Sequence, residues 1–217
     1  MAMALRLHDY AASANCYKVR LALAQLGIEY ERVPVDIFAG ETLTDGFARM
    51  NPARTTPVLE LDESYLPESG AILLFLAEGT PLLPPDRADR AQVARWLLFE
   101  QADVVPTVGG LRFRLATGRL APDHERVGRA RAAGHAMLGV LDVHLCGREF
   151  FVADRYSVAD IAIYGYVHVA HEAGVGMDGH PEVARWLERV AAQPGYMNDL
   201  EPYPANARPG ASRSVYD

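Results

Sequence analysis

Residues 51–77 read NPARTTPVLELDESYLPESGAILLFLA, and this stretch is the most informative part of the chain. Within it, Thr56-Pro57 stands directly before a strand-like run at residues 58–61. A proline at the first position of a strand cannot donate to the ladder. The cis form of an X-Pro bond costs only about 0.5–1 kcal/mol. We therefore predict a cis turn whose Thr56 N–H and C=O face outward and can pair with an extended peptide.

A second signal follows in the same stretch, where Glu68 and Ser69 precede an apolar helix. The unpaired N–H groups at the start of a helix attract carboxylates. Backbone pairing at Thr56 and a carboxylate pocket at Ser69, close together, indicate a site for a small acidic peptide.

Four segments of the chain resemble the glutathione transferase family. The resemblance is of the bacterial type and is similar to the nu-class and beta-class branches of that family. The resemblance implies an α/β + all-α fold. A thioredoxin-like domain of order βαβαββα comes first, and an all-helical C-terminal domain follows it. The segments are the turn and first helix at residues 13–20, the proline segment at 51–59, the Glu-Ser pair at 68–72 and a capping box at 157–160.

Composition limits the classes of function. The chain has 217 residues, a net charge of −7 and a pI near 5.5, so it lacks the basic field that nucleic acid or anionic lipid requires. Its two cysteines, Cys16 and Cys146, are too far apart in sequence to suggest a disulfide framework. No apolar run reaches the length of a membrane span, and the N-terminus does not read as a signal peptide. We expect a cytoplasmic protein.

Prolines mark the predicted domain boundary. Pro81, Pro84 and Pro85 punctuate the chain after the first domain. We expect the glutathione-binding domain at residues 1–80, a linker at 81–90, the helical substrate-binding domain at 91–205 and an extended or disordered tail at 206–217. Pro106 and Gly109-Gly110 predict a break within the helical domain.

Local patterns place the elements of the first domain. Helical spacing of apolar residues ends at Leu26, and Gly27 stands where a C-cap glycine is expected. A second strand is predicted at residues 29–36, and Pro34 suggests that this strand lies at an edge of the sheet.

The predicted chemistry lies where the first strand meets the first helix. A helix N-terminus carries partial positive charge and unpaired N–H donors, which favour a thiolate. A free thiol is only about 3% ionised at pH 7, and lowering its pKa by about two units requires roughly 2.7 kcal/mol of preferential interaction with the anion. We expect Ser13 to donate a hydrogen bond to the glutathione sulfur, and Asn15 to assist through its amide.

Two other interpretations of this turn stay open. Residues 13–16 read SANC, which is the spacing of a Cys-x-x-Cys redox motif with serine in the first place. Cys16 is therefore a candidate for thiol–disulfide exchange, although it can equally be a buried core residue. Ser13 can be a simple N-cap, and Tyr10 lies near enough to be considered for sulfur activation.

The resemblance also implies how glutathione is held. Thr56, before Pro57, pairs its backbone with the cysteinyl moiety. Glu68 meets the γ-glutamyl ammonium, and Ser69 with its N–H binds the γ-glutamyl carboxylate. The glycyl carboxylate needs a cation or donor from residues 40–54, where Arg54 and Thr42 are the candidates.

The second substrate is expected to be an electrophile or a disulfide. Arg112 faces either an acidic substrate or solvent. His168 and His171 lack a further ligand pattern, so no metal is expected. The resemblance implies a homodimer, with no nucleic-acid or membrane partner. Candidate wall residues for the second substrate are Tyr10, Phe99, Val105, Arg112 and Phe113.

We therefore interpret the chain as a cytosolic glutathione transferase of the detoxification type, with glutathione as co-substrate. The first alternative is a glutathione-dependent disulfide oxidoreductase that uses Cys16. The second is a transferase-like binding protein that has kept the fold without turnover.

Overall fold

The computed structural model describes residues 5–62 and 64–217. The chain divides into two compact units. One runs up to Leu76 and takes in Met197–Asp217, and the other is Ala77–Tyr196. The first unit holds the sheet and the second is helical, which confirms the predicted fold class. The division differs from the sequence-based boundaries, because residues 197–205 were expected in the helical domain and here pack with the sheet unit.

The sheet has four strands in the order β2-β1-β3-β4. They are β1 (Leu5–Asp9), β2 (Glu31–Pro34), β3 (Val58–Leu61) and β4 (Ser64–Pro67). β1 pairs with β2 in parallel and with β3 in antiparallel fashion, and β4 is antiparallel to β3. β2 is an edge strand, as Pro34 predicted. Proline has no backbone N–H to donate, and an edge strand tolerates this because one of its sides is unpaired.

Three helices accompany the sheet: α1 (Ala14–Leu26), α2 (Asp45–Met50) and α3 (Ser69–Ala77). α1 ends as predicted at Gly27, whose φ of 62° is left-handed and whose N–H reaches the carbonyls of the last turn. Glycine adopts this conformation at no steric cost, which explains the sharp end of the helix.

One edge of the sheet gathers the segments that the sequence analysis singled out. The register pairs Asp9 with Pro34, and Val58 with Pro67, while His8 lies opposite Val58. The ends of β1, β2 and β4 and the start of β3 therefore share this edge, which we call the site edge. The turn before α1, the segment before α2, the Thr56-Pro57 turn and the start of α3 all leave from it.

The last residues, Met197–Asp217, form a segment that we call the C-terminal strap. It is anchored to α1, where the buried guanidinium of Arg20 bonds both Asp9 and Asp199. Tyr17 donates its hydroxyl hydrogen to the Met197 carbonyl at 2.8 Å. The strap contains a short 3-10 helix, Ala205–Ala207, and several turns, so it differs from the extended or disordered tail that the sequence predicts. The hydrogen bonds above hold it against the sheet unit.

The helical unit is built around two fully buried tryptophans, Trp96 and Trp186. The predicted capping box is confirmed before the helix that begins at Val158, where the Ser157 side chain accepts from the helix backbone and Asp160 accepts from the Ser157 N–H. Across the described residues, none of the helices combines the length and the apolar character that crossing a membrane requires. The helices are α4 (Arg87–Phe99), α5 (Gly110–Ala116), α6 (Glu125–Leu145), α7 (Val158–Val167) and α8 (Pro181–Ala191).

The break predicted at Pro106 and Gly109-Gly110 is wrong. A π-helical stretch, Glu100–Gly109, instead joins α4 to α5 and accommodates Pro106 within it. Packing explains why position 109 is a glycine, because a Cβ there would lie 2.5 Å from the ring of Tyr166. The glycine thus marks a close approach of two helices rather than the end of one.

Candidate functional site

Ser13 is the N-cap of α1. Its half-buried Oγ accepts a hydrogen bond from the Cys16 backbone N–H at 3.3 Å. Accepting this bond uses a lone pair, so the hydroxyl hydrogen can still be donated. The capping role and the predicted role as a donor to sulfur are therefore compatible, and they draw on the same helix terminus.

Cys16 lies fully buried beneath that turn. The Tyr10 backbone N–H donates to its Sγ at 3.4 Å. Burial, reinforced by the nearby Asp9 carboxylate, raises the pKa of the Cys16 thiol to about 12, although the hydroxyls of Thr56 and Ser13 act against this. The thiol is therefore protonated at neutral pH. This environment disfavours the redox role considered for Cys16, because the thiolate is the reactive form.

The two cysteines should differ sharply in reactivity. Cys146 is exposed, whereas Cys16 is buried. We expect a thiol reagent at pH 7 to label one cysteine per native chain and two per chain in denaturant. In a Cys146→Ser variant the native count should fall to zero. Rapid native labelling of Cys16 in that variant would restore the disulfide-exchange interpretation.

Asn15 connects α1 to the start of α3. Its Oδ1 accepts from Lys18 Nζ at 2.8 Å and from Ser69 Oγ at 3.3 Å. Lys18 is fully buried, and its Nζ shares the Asn15 Oδ1 acceptor with the Ser69 hydroxyl. The side-chain oxygen of Asn15 thus positions the Ser69 side chain. This role differs from the predicted one, in which the side-chain amide of Asn15 assists the glutathione sulfur.

Glu68 and Ser69 stand at the site edge where α3 begins. Ser69 is 3% exposed, and Glu68 is exposed with a φ of 73°. A left-handed backbone at a residue other than glycine is uncommon and costs of order 1–3 kcal/mol. Backbone strain of this kind persists where the surrounding structure enforces it, and it is frequent at ligand sites. At Glu68 it lies beside the predicted carboxylate pocket.

The Thr56-Pro57 bond is cis, as predicted. The turn is braced from inside by the buried Asn51, whose Nδ2 donates to the Thr55 carbonyl at 2.9 Å and to Thr55 Oγ1 at 3.1 Å. Thr56 is half-buried, and its hydroxyl lies beside the Cys16 sulfur. This places Thr56 next to the start of α1.

The two candidates for the glycyl carboxylate, Arg54 and Thr42, lie together. Arg54 Nη1 donates to the carbonyls of Thr42 and Thr44, both at 3.2 Å. Thr42 is 1% exposed, and its Oγ1 has no hydrogen-bond partner in the part of the chain that the structure describes. Arg54 is thus used at least partly to hold this segment, and Thr42 contributes a buried hydroxyl.

Tyr10 is buried rather than displayed on an open wall. Its ring meets Phe38 edge-on with centroids 5.7 Å apart. Its hydroxyl is buried without a partner among residues 5–62 and 64–217, and burial raises the pKa of that group. The titratable groups that face it are Asp36 and two residues of the strap, Tyr203 and Glu201.

Arg112 corrects a sequence expectation, because it faces neither solvent nor an open site. It is 2% exposed, and its Nε donates to Glu172 at 2.6 Å within the helical unit. The other three wall candidates of this unit are half-buried. Phe99 packs on Trp96 (5.3 Å), Val105 lies in the π-helical stretch, and Phe113 lies under the Arg119 guanidinium (5.1 Å).

The described residues contain no group of three or more His, Cys, Asp and Glu side chains arranged to hold a metal ion.

Sequence reasoning missed two features of the site, Lys18 and the strap. The available signal for the first was a lysine between the apolar residues Tyr17 and Val19 of α1. The strap carried no periodic signal, because its contacts join residues far apart in sequence.

Two family descriptions match the sequence: "Glutathione S-transferase, N-terminal domain" over residues 7–84 and "Glutathione S-transferase, C-terminal domain" over residues 92–194. The chain is 37% identical to a glutathione S-transferase from Pseudomonas fluorescens Pf-5, whose crystal structure gives a TM-score of 0.87 and covers 91% of this chain and 99% of that one.

Two further comparisons bear on chemistry. A glutathione transferase family member from Pseudomonas fluorescens Pf-5, solved with two glutathione bound, is 32% identical with a TM-score of 0.80, covering 92% of this chain and 93% of that one. The disulfide-bond oxidoreductase YfcG of Escherichia coli strain K12 is 28% identical over 85% of this chain and 89% of its own.

Proposed function

The chain belongs to the glutathione S-transferase family, and on that premise we propose that it binds glutathione along the site edge and transfers its sulfur to an electrophilic small molecule. The observation that carries the proposal is the meeting of three separate segments at this edge. The Ser13 hydroxyl, the Thr56 turn and the Glu68-Ser69 pair come together there.

The γ-glutamyl end would lie at the start of α3. The start of α3 offers backbone N–H groups for the carboxylate, and the buried Ser69 hydroxyl, which donates to Asn15 Oδ1 at 3.3 Å, would turn from that partner to donate to the ligand. Glu68 carries an exposed carboxylate for the ammonium group. Thr56 pairs its backbone with the cysteinyl moiety, which brings the sulfur over the start of α1.

Ser13 would stabilise the glutathione thiolate. Its hydroxyl hydrogen is available while its oxygen caps the helix. A hydrogen bond to an anion contributes about 1.5–3 kcal/mol. Together with the partial positive charge of the helix terminus, this matches the roughly 2.7 kcal/mol needed to lower a thiol pKa by about two units.

The alternatives differ in what they require. Disulfide exchange through Cys16 requires a thiolate that burial disfavours. Disulfide reduction by bound glutathione itself requires only the Ser13 site, so a disulfide remains an acceptable second substrate. A binding protein without turnover would use Ser13 only as the N-cap of α1, so it differs from the proposed enzyme in the turnover that Ser13 supports. We further propose a cytosolic homodimer that acts in detoxification.

Calorimetric titration with glutathione tests the binding half of this proposal. We expect the wild-type protein to bind, and Ser69→Ala to bind about 5- to 10-fold more weakly, because a charge-assisted hydrogen bond is lost. Ser64→Ala is the matched control, since Ser64 is an exposed serine on β4 whose hydroxyl donates to the local Leu61 carbonyl at 3.1 Å. Absence of glutathione binding by the wild-type protein would contradict the proposal.

A further inference from the structure

The order of strands along the site edge sets the direction of the ligand. Ser69 follows β4, Thr56 precedes β3 and Ser13 follows β1, so residues 35–44, which follow β2, lie at the far end. Three strand spacings cover about 14 Å, and an extended tripeptide covers roughly 10–11 Å. With its γ-glutamyl end at Ser69, glutathione therefore extends toward residues 35–44.

That far segment holds no cation of its own. Residues 35–44 read VDIFAGETLT, with two carboxylates and no Lys, Arg or His. Arg54 reaches the segment but donates to the carbonyls of Thr42 and Thr44. The buried Thr42 hydroxyl has no hydrogen-bond partner among the residues that the structure describes, so its hydrogen can be donated to a ligand. A carboxylate arriving here would meet one hydroxyl and need a positive charge from elsewhere.

The C-terminal strap brings an arginine to this place. Arg213 donates its backbone N–H to the Phe38 carbonyl at 2.8 Å and forms a parallel bridge with Ala39. Its side chain runs over Gly40, where a Cβ would come within 3.1 Å of Arg213 Cδ and 3.3 Å of Nε. Gly40, with a φ of 85°, thus leaves the space that the arginine side chain occupies.

Independent contacts fix the strap on both sides of this bridge. Asp199 pairs with the buried Arg20, and Asn206 Nδ2 donates to Asp36 at 2.8 Å. The rings of Tyr203 and Tyr216 pack on Phe38 with centroids 6.5 and 6.4 Å away. Arg213 itself is exposed, and its guanidinium has no hydrogen-bond or ion-pair partner within the described ranges. The charge is therefore held in place and available.

We propose that Arg213 of the C-terminal strap binds the glycyl carboxylate of glutathione, with the Thr42 hydroxyl as a second donor. This inference rests on the proposed function, since it names the contact for the remaining end of the same ligand. It assigns the strap a direct part in the site of the sheet unit, which the sequence-based candidates Arg54 and Thr42 did not include.

The test compares two ligands in four proteins by calorimetry. The ligands are glutathione and γ-glutamylcysteine, which lacks the glycyl residue. We expect Arg213→Ala to weaken glutathione binding about 10-fold and to change γ-glutamylcysteine binding by less than about two-fold. Arg213→Lys should recover part of the loss. Arg208→Ala, at another exposed arginine of the strap, is the matched control and should change neither affinity.

The outcomes are distinct. Equal affinity of the wild-type protein and Arg213→Ala for glutathione would overturn the inference while leaving the proposed function intact. An equal loss for both ligands would also overturn it, because the effect would then not come from the glycyl carboxylate. If the wild-type protein binds neither ligand, the proposed function itself fails.

Discussion

Replacing Ser13 with alanine should lower the turnover of glutathione with a chlorinated aromatic substrate about 10- to 100-fold, a loss equal to one hydrogen bond to an anion. Glutathione affinity should change little, because Thr56, Glu68 and Ser69 are untouched. The measurement is kcat from steady-state kinetics beside Kd from calorimetry. Unchanged turnover in Ser13→Ala would remove the serine from the mechanism.

A second variant separates chemistry from stability. Ser13 also caps α1, so alanine there costs about 1 kcal/mol of folding free energy. Ser13→Asp keeps a good cap but has no hydrogen to donate when ionised. We expect Ser13→Asp to unfold at a denaturant concentration close to that of the wild type and still to lose turnover. High activity in this variant would show that capping alone is what the position requires.

The second large effect concerns stability and lies at Asp160. Its fully buried carboxylate accepts hydrogen bonds from four donors: the backbone N–H of Phe151, the N–H and hydroxyl of Ser157, and Trp186 Nε1. Asp160→Ala leaves these buried donors unpaired. Because each unpaired buried group costs about 1–3 kcal/mol, we expect a loss of at least about 3 kcal/mol in the free energy of unfolding.

Urea unfolding measures this loss, with Ser157→Ala as the control. That variant removes the cap but keeps the carboxylate, so it should lose only about 1 kcal/mol. An Asp160→Ala protein as stable as the wild type would show that the network is dispensable.

The same carboxylate gives stability a pH dependence. Burial raises the pKa of Asp160 to about 6, from 3.8 for an ordinary aspartate, against the effect of its hydrogen bonds. The folded state therefore holds this proton more tightly than the unfolded state does. The contribution of Asp160 to the free energy of unfolding is most favourable below pH 4 and falls as pH rises to about 6. Asp160→Ala should lose this slope.

Local signals explain what could be predicted from sequence. The Thr56-Pro57 turn, the Gly27 cap and the edge position of Pro34 each follow from the backbone chemistry of one or two residues. The Ser157/Asp160 capping box is equally local, since its partners are three positions apart. These features needed no knowledge of distant contacts, and the structure confirms them.

Features set by distant contacts could not be predicted in this way. The SANC spacing does not reveal that Cys16 faces the core. Arg112 pairs with Glu172, sixty positions away, and Arg20 pairs with Asp199 across almost the whole chain. Tertiary packing decides which residue, far away in sequence, a side chain pairs with. Neither the periodicity nor the composition of the sequence predicts that partner. The strap was missed for this reason.

The pH titration of bound glutathione tests the central claim most directly. Thiolate absorbance in the ultraviolet, followed for the saturated wild-type complex, should give a pKa of about 6.5, roughly two units below that of a free thiol. The Ser13→Ala complex should titrate nearer to the free value. A wild-type complex whose thiol titrates near 8.5 would contradict activation of glutathione at the start of α1.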